Sequence, residues 1–228
     1  MFADCEVMIV LPNPELRAIV FANGTFSTPQ SALALVQPQD LIIAADGGAR
    51  HCAALGITPD VAIGDFDSLN AAELDALQAR GVQIMRYPER KDYTDLELAL
   101  QHAVALGASE IIVLGALGAR WDQTLANLLL PGAAGFEHVR IRLVDGAQEI
   151  MLARPGIPLV LTGRPGDTIS LIPLSDDALG VQTTGLEYAL DAETLYFGAT
   201  RGVSNVLVNS TATISMQEGL LLCVIIHA

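Results

Sequence analysis

Through the first half of the chain, short apolar runs alternate with segments of helical pattern. That alternation restricts the fold to one in which crossover helices cover a parallel sheet. Strand-like runs occupy residues 8–11, 18–22, 41–45, 61–63, 82–87, 110–115 and 140–144. Between them, Thr28-Pro29 opens a helix to about Val36, with proline at its first position. Asn70 can cap a helix that runs to about Arg80 and stops at Gly81. Thr94 or Asp95 can cap a third helix ending near Gly107, and a fourth spans Gln123 to Leu130. These segments predict an α/β, Rossmann-like three-layer domain over residues 1–147.

The pattern changes around residues 146–156, and no helical period returns. Short β-rich runs at 159–161, 167–174, 195–197, 203–208, 212–216 and 220–226 predict a second, all-β sandwich domain over residues 148–228. So small a domain buries little core, and its closing run from Leu220 to Ile226 calls for burial against the first domain or another subunit. That run is too short to span a bilayer. The start of the chain has no basic n-region, and Cys5, Cys52 and Cys223 fit neither a disulfide framework nor a metal site. A cytoplasmic protein is expected, with no membrane partner. The formal charge of −14 argues against nucleic acid as a partner.

The chemistry concentrates where strands end. Val61-Ala62-Ile63 is followed by Gly64, then by Asp65 and Asp67 at i, i+2. If the backbone stays extended, both carboxylates leave it on one side, and such a pair needs a cation. Mg²⁺ fits, since it takes oxygen ligands from one or two carboxylates together with phosphate oxygens. The strand at 41–45 ends in Asp46-Gly47-Gly48, where glycines let backbone N–H groups approach phosphate. Lys91 is the only lysine beside eleven arginines, 12 basic residues in all. Lysine and arginine are not interchangeable at a phosphate site, so its single use is informative. Asp95 reads either as a helix cap or as a further carboxylate beside Asp65 and Asp67. Arg120 and Asp122 precede the last helix, where the helix dipole alone favours an acid.

Five motifs occur in order: Ala45-Asp46-Gly47-Gly48-Ala49, Gly64-Asp65-Phe66-Asp67-Ser68, Lys91-Asp92-Tyr93-Thr94-Asp95-Leu96-Glu97, Gly115 to Gln123 with Ala126-Asn127-Leu128, and Arg201-Gly202-Val203-Ser204-Asn205. Together they closely resemble the thiamine pyrophosphokinase family, from about residue 18 to 226. The resemblance implies transfer of pyrophosphate from ATP to the hydroxyl of thiamine. It also implies a homodimer with its thiamine sites between subunits. It assigns Asp65, Asp67 and Asp95 to Mg²⁺ and Asp46 to the metal or its waters. Gly47, Gly48, Lys91, Thr94 and Arg120 are assigned to ATP phosphates, and Asp122, Ser204 and Asn205 to the substrate. Asp46, Asp122 and water remain open as the base. Two departures stand out. Val206-Leu207-Val208 carries no aromatic residue to stack on the pyrimidine, and Ala116 and Ala119 replace glycines. The alternatives are a diphosphokinase for another hydroxymethyl heterocycle, such as a pterin, and a nucleotide- or thiamine-binding module without turnover.

Overall fold

The computed structural model describes residues 13–26, 28–118 and 120–228. The strand expected at 8–11, Cys5 and Ala119 lie outside them. Six parallel strands form one half of a ten-stranded sheet. They are β1 (Asn13–Phe21), β2 (Leu41–Ala45), β3 (Val61–Gly64), β4 (Gln83–Arg86), β5 (Ala108–Leu114) and β6 (Arg140–Asp145), in the order β6-β5-β1-β2-β3-β4.

The period of two along β1 serves two cores. Ala18 and Val20 pack with Leu96, Ala99, Leu100 and Ala103 of α4 (Asp95–Ala105). Ile19 and Phe21 pack on the other side with Ala32 of α1 (Pro29–Leu33), Ala49 and Cys52 of α2 (Gly48–Ala54) and Leu77 of α3 (Ala71–Ala79). This is the three-layer arrangement expected from the alternation. Asn70 and Glu73 form a reciprocal capping box on α3, and Thr94 caps α4 by accepting from the Glu97 amide at 3.2 Å. The first helix is shorter than expected, ending at Leu33. The last, α5, covers Trp121–Leu129, with Arg120 at its N-cap.

Beyond β6 the sheet continues without a break. β7 (Gln148–Ala153) returns antiparallel in a hairpin, pairing Leu143 with Ile150 and Asp145 with Gln148, so residues 146 and 147 form its tip. β14 (Leu221–Ile226) enters between β7 and β9 (Thr168–Pro173), and β12 (Asn205–Val206) forms the far edge. A four-stranded sheet, β11 (Glu193–Leu195), β10 (Ala178–Thr184), β13 (Thr211–Ser215) and β8 (Leu159–Thr162), is separate from it.

On β14, Leu221, Cys223 and Ile225 join the core shared with this second sheet, while Leu222 and Val224 face the core of the parallel half. The closing strand is therefore buried on both faces. Two strands were not expected from sequence, β7 and β10. The run at 203–208 contracts to Asn205–Val206, because residues 201–204 form a turn. Cys52 and Cys223 are free and buried, and burial pushes both thiols up to about 12. Among the described residues no helix is long and apolar enough to cross a membrane.

Candidate active site

Parallel strands deliver all their carboxyl ends to one edge of the sheet, and in such sheets ligands bind there. A cavity of about 460 Å³ lies along this edge. It is lined from the β1, β2, β3, β4 and β5 ends by Asn23, Asp46, Asp65 with Asp67, Lys91 with Asp95, and Arg120.

Asp46 keeps sheet pairing through its amide, which donates to the Ile63 carbonyl at 2.8 Å, and then turns with φ 47° into α2. Aspartate tolerates this left-handed conformation better than most residues. Its side chain is buried; Oδ2 receives only a long 3.4 Å bond from Asn23 Nδ2, and Oδ1 has no hydrogen-bond partner among the described residues. Gly64 makes the close approach possible. A Cβ there would lie 3.2 Å from both Asp46 Cβ and Asp95 Cγ.

Asp65 and Asp67 converge by a route that corrects the extended one expected from their spacing. Phe66 between them adopts φ 63° and sends its ring into the core, 4 % exposed, with the Arg86 guanidinium 5.2 Å above it. A bulky residue at positive φ costs on the order of 1–3 kcal/mol, here offset by burial of the ring. The Asp67 amide folds back onto Asp65 Oδ1 at 3.2 Å. Carboxylate oxygens of Asp46, Asp65 and Asp67 thereby lie within 4.8 Å of one another.

Asp95, expected as the third ligand, stands beside this group and shares Lys91 with Asp65. Lys91 Nζ bridges Asp65 Oδ2 at 3.1 Å and Asp95 Oδ1 at 2.9 Å. Burial and repulsion from Asp65 and Asp46 raise the Asp95 carboxyl against the pull of Lys91. At Asp65 the balance reverses: burial would raise it, but the Asp67 amide and Lys91 hold it below the usual range. Lys91 is raised, its two carboxylate partners outweighing burial. Three carboxylates with a buried oxygen left unbonded form an incomplete oxygen shell, and a hard divalent cation suits it.

The other expected residues divide. Thr94 lines the cavity, although its hydroxyl is already engaged as the α4 cap. Arg120 lines it and binds Asp122 through both carboxylate oxygens, at 3.1 Å and 2.5 Å. Asp122 itself is exposed and lies outside the lining, lowered by that guanidinium. Gly47 and Gly48 are outside it as well. A Cβ on Gly48 would meet the Phe21 carbonyl oxygen at 1.9 Å, so this glycine serves the packing of α2 against β1.

Ser204 and Asn205 are not in this cavity. Eight strand positions separate β12 from β3, on the order of 40 Å at ~4.8 Å each. Ser204 is exposed at φ 62°, with its amide donating to Ser170 Oγ at 3.1 Å. The Asn205 side chain is spent on the backbone: Oδ1 accepts from the Tyr188 and Val206 amides, and Nδ2 donates to the Tyr188 carbonyl. It therefore ties a turn to the sheet. Ala116 is unstrained, because Gly115 (φ 67°) and Gly118 (φ 81°) take the left-handed positions around it.

Several lining residues were not singled out from sequence. Asn23 follows β1 as Asp46 follows β2, so the strand-end rule was available to find it. Its Nδ2 also donates to Ser68 Oγ at 3.0 Å. Asn127 is buried and donates to the Ala116 carbonyl at 2.6 Å, holding the β5 loop. Behind the cavity, His51 pins the β1 loop through the Gly24 carbonyl at 3.0 Å and stacks on Phe26.

Comparison with known proteins agrees along both halves. A family model described as "Thiamin pyrophosphokinase, catalytic domain" matches residues 32–143, and "Thiamin pyrophosphokinase, vitamin B1 binding domain" matches residues 158–221. The chain is 32% identical over 184 residues to thiamine pyrophosphokinase of Bacillus subtilis, covering 81% of this chain and 86% of that protein. The crystal structure of thiamine pyrophosphokinase from Bacillus subtilis superposes with TM-score 0.82 at 29% identity, over 94% of this chain and 100% of the other. The corresponding structure from Geobacillus thermodenitrificans gives 0.79 at 27%, over 92% and 97%.

Proposed function

The chain belongs to the thiamine pyrophosphokinase family, and from that premise we propose that it transfers pyrophosphate from ATP to the hydroxyl of thiamine, giving thiamine diphosphate and AMP, with Mg²⁺ as cofactor. The observation that carries this reading is the convergence of Asp46, Asp65 and Asp67 around a buried, unbonded carboxylate oxygen. In the reaction the thiamine hydroxyl oxygen bonds to the β-phosphorus, its proton passes to a neighbouring carboxylate or water, and the bond from that phosphorus to the oxygen bridging to the α-phosphorus breaks, that oxygen leaving on AMP. Held by Asp46, Asp65 and Asp67, Mg²⁺ would neutralise charge on the phosphate oxygens. Lys91, held between Asp65 and Asp95, and Arg120, paired with Asp122, line the same cavity and would orient the triphosphate. Asp95 keeps Lys91 in place between them.

The distance between the carboxylates and Ser204 within one chain favours a substrate site completed by a second copy. In a homodimer the turn at 201–204 of one subunit would face the cavity of the other. The proposed division of labour is thus an α/β catalytic half and a β half that binds thiamine. Location in the cytoplasm accords with this chemistry and is proposed with it.

The experiment is an AMP assay with purified protein, ATP and Mg²⁺, run with thiamine, with 6-hydroxymethyldihydropterin and with neither. AMP formation only in the thiamine arm is expected. Product in the pterin arm alone would favour the second heterocycle, and tight binding of ATP and thiamine without AMP would favour a binding module.

A further inference from the structure

We propose that Tyr93 is the aromatic platform of the active-site cavity, against which a planar heteroaromatic ring of a substrate lies. The inference deepens the function proposed above and rests on it for the ligands concerned.

Among the described residues, Tyr93 is the one aromatic that lines the cavity. It is 50 % exposed, and among the described residues its phenol makes no hydrogen bond and its ring stacks on nothing. A packing role for this position is available in principle. Tyr93 precedes the α4 cap, where an apolar residue often staples onto the fourth helical residue, here Leu98. Leu98 is buried in the core and Tyr87 packs on that cluster, while Tyr93 stays half exposed. Exposing so large an apolar surface gains nothing for the fold. A ring face left open beside the phosphate-handling groups has a use in binding.

The backbone holds it ready. Thr94 caps α4 on one side, and Lys91, two residues before, is anchored to Asp65 and Asp95. Tyr93 follows β4 and Arg120 follows β5, and both line the cavity that holds the carboxylates. A substrate whose phosphates sit at the carboxylate cluster would bring its ring into the same cavity as Tyr93. Both substrates offer a ring, the adenine of ATP and the pyrimidine of thiamine. The segment after Ser204 cannot supply the stack from its own chain, since Leu207 is fully buried in the core of the β half.

Calorimetric titrations separate the sources and do not depend on turnover. The ligands are Mg²⁺ with α,β-methylene-ATP, thiamine in the presence of that analogue, and ring-free tripolyphosphate with Mg²⁺, each on wild type, Tyr93→Ala and Tyr93→Phe. Stacking of one ring on an aromatic side chain predicts about a tenfold loss of affinity in Tyr93→Ala for one of the two ring-bearing ligands. Tripolyphosphate should be unaffected, and Tyr93→Phe should stay within about twofold of wild type. In the AMP assay Tyr93→Ala should raise KM for that substrate with little change in kcat. The ligand that weakens identifies the ring. Unchanged affinity for both ring-bearing ligands in Tyr93→Ala would overturn the proposal. So would an equal loss for tripolyphosphate, or a Tyr93→Phe variant as weak as Tyr93→Ala. An absence of AMP in wild type would count against the enzymatic reading and leave these titrations standing.

Discussion

Asp46 and Asp167 are both nearly removed from solvent, 6 % and 2 % exposed, and they sit in opposite halves of one sheet. Asp167, in the antiparallel half, is saturated. Its Oδ2 receives the Arg164 amide at 2.9 Å and His227 Nδ1 at 2.8 Å, and its Oδ1 receives the Ala228 amide at 3.0 Å. Asp46, in the parallel half, has one weak bond, one oxygen with none, and two further carboxylates within reach. The same residue type is a clamp for the chain end in one place and an unmet electrostatic demand in the other. Topology produces the difference. Parallel strands crowd their carboxyl ends onto one edge, whereas antiparallel strands alternate direction and spread theirs over two. A buried acid with its bonds made belongs to stability; one kept short of partners awaits a ligand.

The largest effect should come from the unsatisfied cluster. Asp65→Asn or Asp67→Asn removes a carboxylate from the proposed metal shell, and turnover in the AMP assay should fall by roughly 10²- to 10⁴-fold. Circular dichroism and the melting temperature of the metal-free variants should match wild type, because neither side chain holds core elements together. Near-normal turnover in both variants would remove the contrast between the two halves and the metal assignment with it.

The parallel half was legible in the sequence because its strands are buried on both faces. They appear as unbroken apolar runs punctuated by Gly and Asp, and Leu41–Ala45 matches its expected span in full. The antiparallel half was harder. β10 carries Gly180, Gln182 and two threonines, and its alternation is too polar to read as a strand without its partners. β7 begins directly after a two-residue turn at Gly146, in a stretch that looked like a change of domain. At the site, the aspartates were visible but their grouping was not. Nothing in the sequence reveals that Phe66 turns left-handed, that Lys91 bridges Asp65 and Asp95, or that Asp46 comes within reach of Asp65 and Asp67. The position of Ser204 depends on strand order, since β12 lies beyond β9 and β14 although it precedes β14 in the chain. A local motif carries no such information.

A paired substitution sharpens the comparison with a smaller effect of opposite sign. Asp167→Asn loses charge-assisted bonds to two amides and an imidazole, and should destabilise by about 2 kcal/mol while leaving kcat unchanged. Asp46→Asn keeps a side chain suited to φ 47° and relieves repulsion in the cluster, so the metal-free protein should gain about 1 kcal/mol and lose activity. Adding Mg²⁺ should raise the melting temperature of wild type and do so far less in Asp46→Asn. Destabilisation by both substitutions would show that Asp46 is structural as well.

The smallest effect is confined to acid. The Arg164 amide, followed by the Ala228 amide and His227, pulls the Asp167 carboxyl down to about 2 against the opposing influence of burial. The unfolded chain holds an aspartate near ~3.9. A carboxyl whose folded value is depressed contributes stability that is complete above the unfolded value and is lost as pH falls through the folded one. The clamp should therefore be at full strength at pH 5 and weaken progressively from about pH 4 to pH 2. Melting curves of wild type and Asp167→Asn measured across that range should converge as the wild-type carboxylate is protonated, with a constant gap above it. The cavity cluster gives no such simple limb, since its carboxylates move in opposite directions around one lysine. A gap between the two proteins that stayed constant down to pH 2 would mean that the bonds to Asp167 are carried by shape rather than charge.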